Sequence, residues 1–296
     1  MQILTAMKKD FFLMLAFVGF VAVSCSEGEN SVSGETTVSI TITTPDLQTR
    51  YGEGFEATEL HWEVYVGDEH LVGLDGTKSF SGETTVELRL VADKTYSLLF
   101  WAVSPDQDIY TIADRKLTID ASKLKANQEA YDAFYAYEKT FVATKNAPTI
   151  ELRRPFAQLN IATADVVSSS TAGVSVSKTG VEFDAYTVLN LVDGKVSQKK
   201  TLIYNTEDCA TGLVTLAGDT YQMLSMNYLL VNEKELTNVR MTAINAGETI
   251  TRDYSLVPFE RNHRTYIVGN LLTTSVGIKV IIMPGFDDPT HIEDGE

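Results

Sequence analysis

Cysteine is nearly absent from this chain of 296 residues, which holds only Cys25 and Cys209. Two thiols in such unlike sequence surroundings argue against a disulfide framework and against a cysteine-based zinc site. Basic residues are also scarce, 24 Lys plus Arg against 40 Asp plus Glu, for a formal net charge of −16. Phosphate neutralisation needs a basic face, so a nucleic-acid partner is not expected. No phosphate-binding glycine loop, dinucleotide fingerprint, H-E-x-x-H or G-x-S-x-G occurs. The four histidines, His61, His70, His263 and His291, show no metal-ligand spacing, and His61 falls on the polar phase of its segment. Ser225 and Cys209 have no base within sight. A pair of glycosidase carboxylates drawn from distant strands would leave no local trace, and nothing in the chain selects one. The expectation is a protein without metal, cofactor or catalytic centre. No repeat of 20 to 50 residues emerges, so a solenoid or propeller is not supported.

What is present is an ordinary globular composition, 44% hydrophobic and 22% charged, long enough for two domains as readily as one. The exception is the start. Lys8 and Lys9 precede an apolar run from Phe11 to Val23, which is 13 residues and too short for the ~20 that span a bilayer. This has the form of a secretory signal over residues 1–24, with Met7 an alternative start. Val21-Ala22-Val23-Ser24-Cys25 resembles a bacterial lipobox, in which the cysteine is acylated, although Ala22 stands where Leu is usual. The alternative is an ordinary signal peptide with an incidental cysteine. Residues 25–35 are small, polar or acidic and make a flexible tether, reaching at most ~35 Å. Acidic residues so close to Cys25 resemble the surface-export signal of Bacteroidota lipoproteins.

The remainder alternates with period two. Val38, Ile40 and Ile42 alternate with Ser39, Thr41 and Thr43; Leu60, Trp62, Val64 and Val66 with His61, Glu63 and Tyr65; Val86, Leu88 and Leu90 with Glu87 and Arg89. Each is the pattern of a half-buried strand. Leu98 to Val103 is apolar throughout and suits a strand covered on both faces. Asp120 to about Lys139, rich in Ala, Lys, Glu and Gln, predicts a helix or helical turn capped by Asp120, with Leu124, Tyr131, Phe134 and Tyr135 at helical spacing. Further short strands follow residue 148. The fold class expected is all-β, two tandem sandwiches over 36–148 and 149–296, the first carrying a short helical insertion.

Several segments then match a known family in order and spacing. These are Pro45-Asp46-Leu47-Gln48-Thr49-Arg50, Tyr131-Asp132-Ala133-Phe134-Tyr135, Arg154-Pro155-Phe156-Ala157-Gln158-Leu159-Asn160-Ile161, and Asn262-His263-Arg264-Thr265-Tyr266-Ile267-Val268-Gly269-Asn270-Leu271-Leu272-Thr273. With the lipobox and the leading strand, they resemble the Bacteroidota fimbrillin-like (FimA-type, type V pilin) superfamily. The resemblance implies transthyretin-like sandwiches, a lipid anchor at Cys25 in the outer membrane, and other fimbrial subunits as partners at the cell surface. It also implies a processing protease that cuts after an arginine beyond the first strand. The matching position is Arg50, so the mature chain would begin at Tyr51 in a glycine-containing stretch; the alternative is a plain surface arginine. Arg115 and Arg153-Arg154 are weaker candidates.

Loss of Val38, Ile40 and Ile42 would bare a strand edge and an apolar groove for a neighbour's strand to fill. The donor expected is the apolar phase Val276, Ile278, Val280 and Ile282, unless that strand completes its own domain. Pro284-Gly285 and the acidic 286–296 stretch depart from a pilin whose donor strand reaches the last residue. An unpolymerised lipoprotein or tip adhesin, binding glycan or host protein through exposed Trp101 or tyrosines, is the alternative.

Overall fold

The alternating Val38, Ile40 and Ile42 form strand β1 (Glu35–Thr43), whose three apolar side chains are at most 1% exposed. The computed structural model describes residues 34–45, 57–144, 148–165, 176–273 and 277–283, so the signal segment and most of the tether lie outside the described residues. The strands up to residue 151 continue as β2 (Glu59–Val66), β3 (Glu69–His70), β4 (Gly76–Ser79), β5 (Glu83–Val91), β6 (Thr95–Val103), β7 (Tyr110–Ala113), β8 (Lys116–Ile119), β9 (Ala133–Val142) and β10 (Thr149–Glu151). Beyond it lie β11 (Phe156–Thr163), β12 (Val176–Asn190), β13 (Val196–Asp208), β14 (Leu213–Leu216), β15 (Asp219–Leu230), β16 (Lys234–Asn245), β17 (Glu248–Glu260), β18 (Arg264–Gly269) and β19 (Lys279–Met283).

Two apolar cores organise these strands. In the first, the three-stranded sheet β10-β1-β5 packs on the sheet β3-β2-β6-β9, to which β4 adds beside β2. Its filling is Val38, Ile40, Ile42, Val86, Leu88 and Leu90 against Leu60, Val64, Leu98, Phe100, Ala102 and Phe134. The second core belongs to a sheet of order β17-β16-β12-β15-β11-β18-β19, joined by β13, β14 and the hairpin β7–β8. The far strand β17 folds back to touch β11 and β18, and the Thr265 hydroxyl donates to the Pro258 carbonyl at 2.7 Å. The result is a sandwich closed on itself.

The fully apolar β6 lies where the cores meet. Its alternate residues Leu98, Phe100 and Ala102 enter the first core, while Leu99, Trp101 and Val103 enter the second. That two-sided burial explains why the segment shows no polar phase. The β7–β8 hairpin also crosses over, pairing Leu117 with Leu189 of β12.

The expected helix over 120–139 requires correction. Asp120 does not cap a helix; its Oδ1 accepts the Ser122 amide at 3.1 Å and the Ser122 hydroxyl at 2.6 Å, closing a local turn. One 3₁₀ turn, Glu129–Tyr131, is followed directly by β9, which lies antiparallel on β6. Neighbours Phe134 and Tyr135 face opposite sides, Phe134 into the first core and Tyr135 against the second, as strand residues do. Aromatic and Thr/Val content in Phe134, Tyr135, Tyr137, Thr140, Phe141 and Val142 suits a strand, and pairing with β6 overrides the helix-forming Ala, Lys and Glu.

Candidate functional site

The site expected from the sequence is β1 and the slot it occupies. β1 pairs antiparallel with β5 over its whole length, Val38 opposite Leu88 and Ile40 opposite Val86. On its other edge it runs parallel to β10 over three positions, Thr41–Thr149 to Thr43–Glu151. The Thr41 amide donates to the Pro148 carbonyl at 3.0 Å, and the Leu152 amide to the Thr43 carbonyl at 2.8 Å. β1 is therefore an interior strand at its C-terminal half. Burial of each of its three apolar side chains stabilises the sandwich by roughly 1.5–3 kcal/mol. Its departure would bare the edge of β5, isolate β10, and open a trench floored by Leu60, Leu98 and Phe100.

Val38, Ile40 and Ile42 thus come together as expected from their spacing. Cys25, Arg50, Tyr51 and Val276 lie outside the described residues. Ile278 precedes β19 and Val280 and Ile282 lie in it; β19 pairs antiparallel with β18, Ile267 opposite Val280, at the end of the second sheet. The exposed phase is the one expected to be the apolar face: Ile278, Val280 and Ile282 are 37%, 42% and 37% exposed. Met283 is buried in the second core and Ile281 packs against it.

The other arginine candidates are held in place. Arg154 has a side chain 1% exposed, with Nε on Asp132 Oδ1 at 2.7 Å and Nη2 on Asp132 Oδ2 at 2.8 Å, and lies over the Phe134 ring. Arg153 exchanges two backbone hydrogen bonds with Tyr135. Arg115 donates to Asp68 at 2.7 Å and stacks over Tyr65. Trp101, expected as an exposed platform, is only 2% exposed. His61 binds Glu59 at 2.7 Å and Thr77 at 3.0 Å, as a rim histidine on a polar face does. Burial raises the Cys209 thiol above its usual range, away from nucleophilic use. Among the described residues no cluster of three potential metal ligands occurs.

Sequence reasoning missed what joins the family-like segments. Two of them run side by side as parallel strands, β11 and β18, from Gln158–Arg264 to Thr163–Gly269. A third supplies Asp132, and Arg154 Nη1 reaches Asn262 Oδ1 at 3.4 Å. Three stretches far apart in the chain thus meet at one junction between the two cores.

An all-β chain of two sandwich cores whose first strand fills a slot belongs, by fold, with a group of solved Bacteroides proteins. One from Bacteroides uniformis, provisionally assigned to cell adhesion, is 15% identical with a TM-score of 0.53, covering 83% of this chain and 97% of its own. One from Bacteroides ovatus, also provisionally assigned to cell adhesion, is 13% identical with a TM-score of 0.50, covering 84% and 96%. One from Bacteroides thetaiotaomicron, provisionally assigned to polysaccharide binding, is 14% identical with a TM-score of 0.50, covering 83% and 95%. The likeness to these neighbours is one of fold. By sequence the chain belongs to a family described as a family of unknown function, DUF6562, matched over residues 29–295. No curated protein matches it.

Proposed function

We propose that this chain is a structural, non-enzymatic subunit of a cell-surface fimbria. In this reading it is exported as a lipoprotein acylated at Cys25, cut after Arg50, and joined to other subunits by strand replacement in the slot of β1. The observation that carries the reading is the burial of Val38, Ile40 and Ile42 between β5 and β10, on a strand whose only covalent link to the sandwich runs through the segment holding Arg50. A cut there converts a covalent strand into a replaceable one. The bared edge supplies main-chain hydrogen bonds, and the alternate pockets fix the register of the incoming strand. Because slot and donor lie on different parts of each subunit, the contact is head-to-tail and propagates. The cell-adhesion assignments of the two fold neighbours support a place at the cell surface.

The pairing of β19 with its own β18 favours a second reading, an unpolymerised surface lipoprotein or tip adhesin that donates no strand. N-terminal sequencing of material sheared from cells separates the two. A chain beginning at Tyr51 in SDS-resistant, heat-labile oligomers is the expected result, with Arg50→Ala leaving lipidated monomers. Normal fibres from Arg50→Ala would eliminate the cleavage site, and a full-length acylated monomer would leave the second reading.

A further inference from the structure

Between β2, β6 and β7 lies a cleft of about 280 Å³ that the strand-exchange reading does not use. It opens on the face of β6 turned away from β1, so the slot and the cleft lie on opposite sides of one sheet. Leu99 and Trp101 form its floor, Tyr110 a wall, and His61, Glu63 and Gln107 its polar rim.

Its polar groups are few and fixed. Trp101 is 2% exposed as a residue and lines the cleft, and its indole Nε1 makes no hydrogen bond to any described residue, whereas Trp62 Nε1 donates to the Leu74 carbonyl at 3.0 Å. An indole N–H is a donor only, so at the floor of this cleft it can serve an acceptor on a ligand. Gln107 Oε1 accepts the amides of Ile109 and Tyr110 at 3.1 and 2.9 Å, which fixes the side-chain amide and leaves Nε2 as a second donor. Glu63 supplies the acceptor. It already takes the Tyr65 hydroxyl, whose ionisation is pushed up by burial and then by this carboxylate, so Tyr65 remains the donor. Both ring nitrogens of His61 are engaged by Glu59 and Thr77, which leaves His61 as a wall. Tyr110 is locked by a 2.5 Å hydrogen bond to the Tyr131 carbonyl, stacks on Phe156, and meets Trp101 edge-on.

This set selects among ligands. No Lys or Arg lines the cleft, and a carboxylate does, so an anion is repelled. An ammonium ligand would satisfy Glu63 but leave both N–H donors without an acceptor. A ligand must both accept and donate, and present an apolar face to aromatic rings. The volume is at the low end for small-molecule sites and takes one ring. We propose that this cleft binds the terminal pyranose ring of a neutral glycan, with hydroxyl oxygens accepting from Trp101 Nε1 and Gln107 Nε2 and a hydroxyl donating to Glu63. The proposal goes beyond the fimbrial reading and does not depend on it.

The test is calorimetric titration of the purified full chain with methyl β-D-glucopyranoside, methyl β-D-galactopyranoside and methyl α-D-mannopyranoside. At least one is expected to bind with Kd on the order of 1 mM. Trp101→Phe, which keeps a ring but removes the N–H, is expected to weaken it about fivefold, and Glu63→Gln about tenfold. Glu63→Gln alters a half-exposed side chain of nearly unchanged shape, so it stays informative even where Trp101→Phe disturbs packing. The Arg50→Ala variant should bind like the native chain, which separates failure of this site from failure of the cleavage reading. Absence of binding for all three glycosides, native affinity in the Glu63→Gln variant, or preferential binding of tetramethylammonium chloride would overturn the proposal.

Discussion

Arg154 and Asp132 form a two-point ion pair, Nε–Oδ1 at 2.7 Å and Nη2–Oδ2 at 2.8 Å, where the two cores adjoin. Arg154 leads into β11 of the second sandwich, while Asp132 leads into β9 of the first, so the pair ties one to the other. Removing one member of a buried pair strands a charge, whereas replacing both can be nearly neutral. Asp132→Leu and Arg154→Met are each expected to cost about 3 kcal/mol alone, and the double variant less than the sum of the two. Urea denaturation of the four proteins gives the coupling directly. Additive losses would show that the ion pair does not link the cores energetically.

The slot makes a second prediction. Ile40 is fully buried in the first core, so Ile40→Ala should cost about 3 kcal/mol through lost transfer energy and a cavity. Ser39, on the opposite phase, should tolerate Ala within about 0.5 kcal/mol. The contrast is read from denaturation midpoints of the uncut chain. Equal effects at both positions would mean that β1 contributes no specific face, and the trench would close over in its absence.

Acid sensitivity should trace to one carboxylate. Asp165 is 4% exposed and accepts from the Leu272 amide at 2.7 Å, the Thr273 hydroxyl at 2.5 Å and the Thr163 hydroxyl at 2.9 Å. Burial alone would raise its pKa, but these donors outweigh it and hold the carboxyl below its usual value of 3.8. A depressed folded pKa contributes stability that is complete above the unfolded value and is lost as pH falls through the folded one. The contribution is therefore full at neutral pH and fades below about pH 4. Asp165→Asn should lower Tm at pH 7 and flatten the fall in Tm between about pH 4 and pH 2. Parallel Tm curves for variant and native protein would assign acid loss elsewhere.

These residues also mark where the sequence could be read and where it could not. β1, β2 and β5 were legible because each has one apolar and one polar phase, and Val38, Ile40 and Ile42 could fall only on the core side. β6 was legible as a two-faced strand, but the face of Trp101 was not, since every neighbour is apolar and alternation carries no sign there. β9 was misread because its Ala, Lys and Glu carry helix propensity, and only its partner β6 reveals that Phe134 and Tyr135 must point apart. Asp132 and Arg154 are 22 positions apart, and a single sequence gives no means of pairing them.

β19 shows the same limit and supplies the last prediction. Ile281 and Met283 are as apolar as Val280 and Ile282, so the period-two pattern could not tell which set faces the core. The structure buries Met283 at 6% exposure and leaves Val280 and Ile282 at 42% and 37%. Met283→Ala should therefore cost about 2 kcal/mol, while Val280→Lys should cost less than about 0.5 kcal/mol in the monomer. The exposed row lies on an edge strand without a covering charge apart from Lys279, which reaches toward Asp219 at 3.5 Å. Edges of this kind are where another chain can add. If this strand contributes to assembly, Val280→Lys will abolish SDS-resistant oligomers while leaving the monomer's melting curve in place. If the strand only completes its own sheet, oligomers from the Val280→Lys variant will match the native ones, and the donor must be sought on another part of the surface.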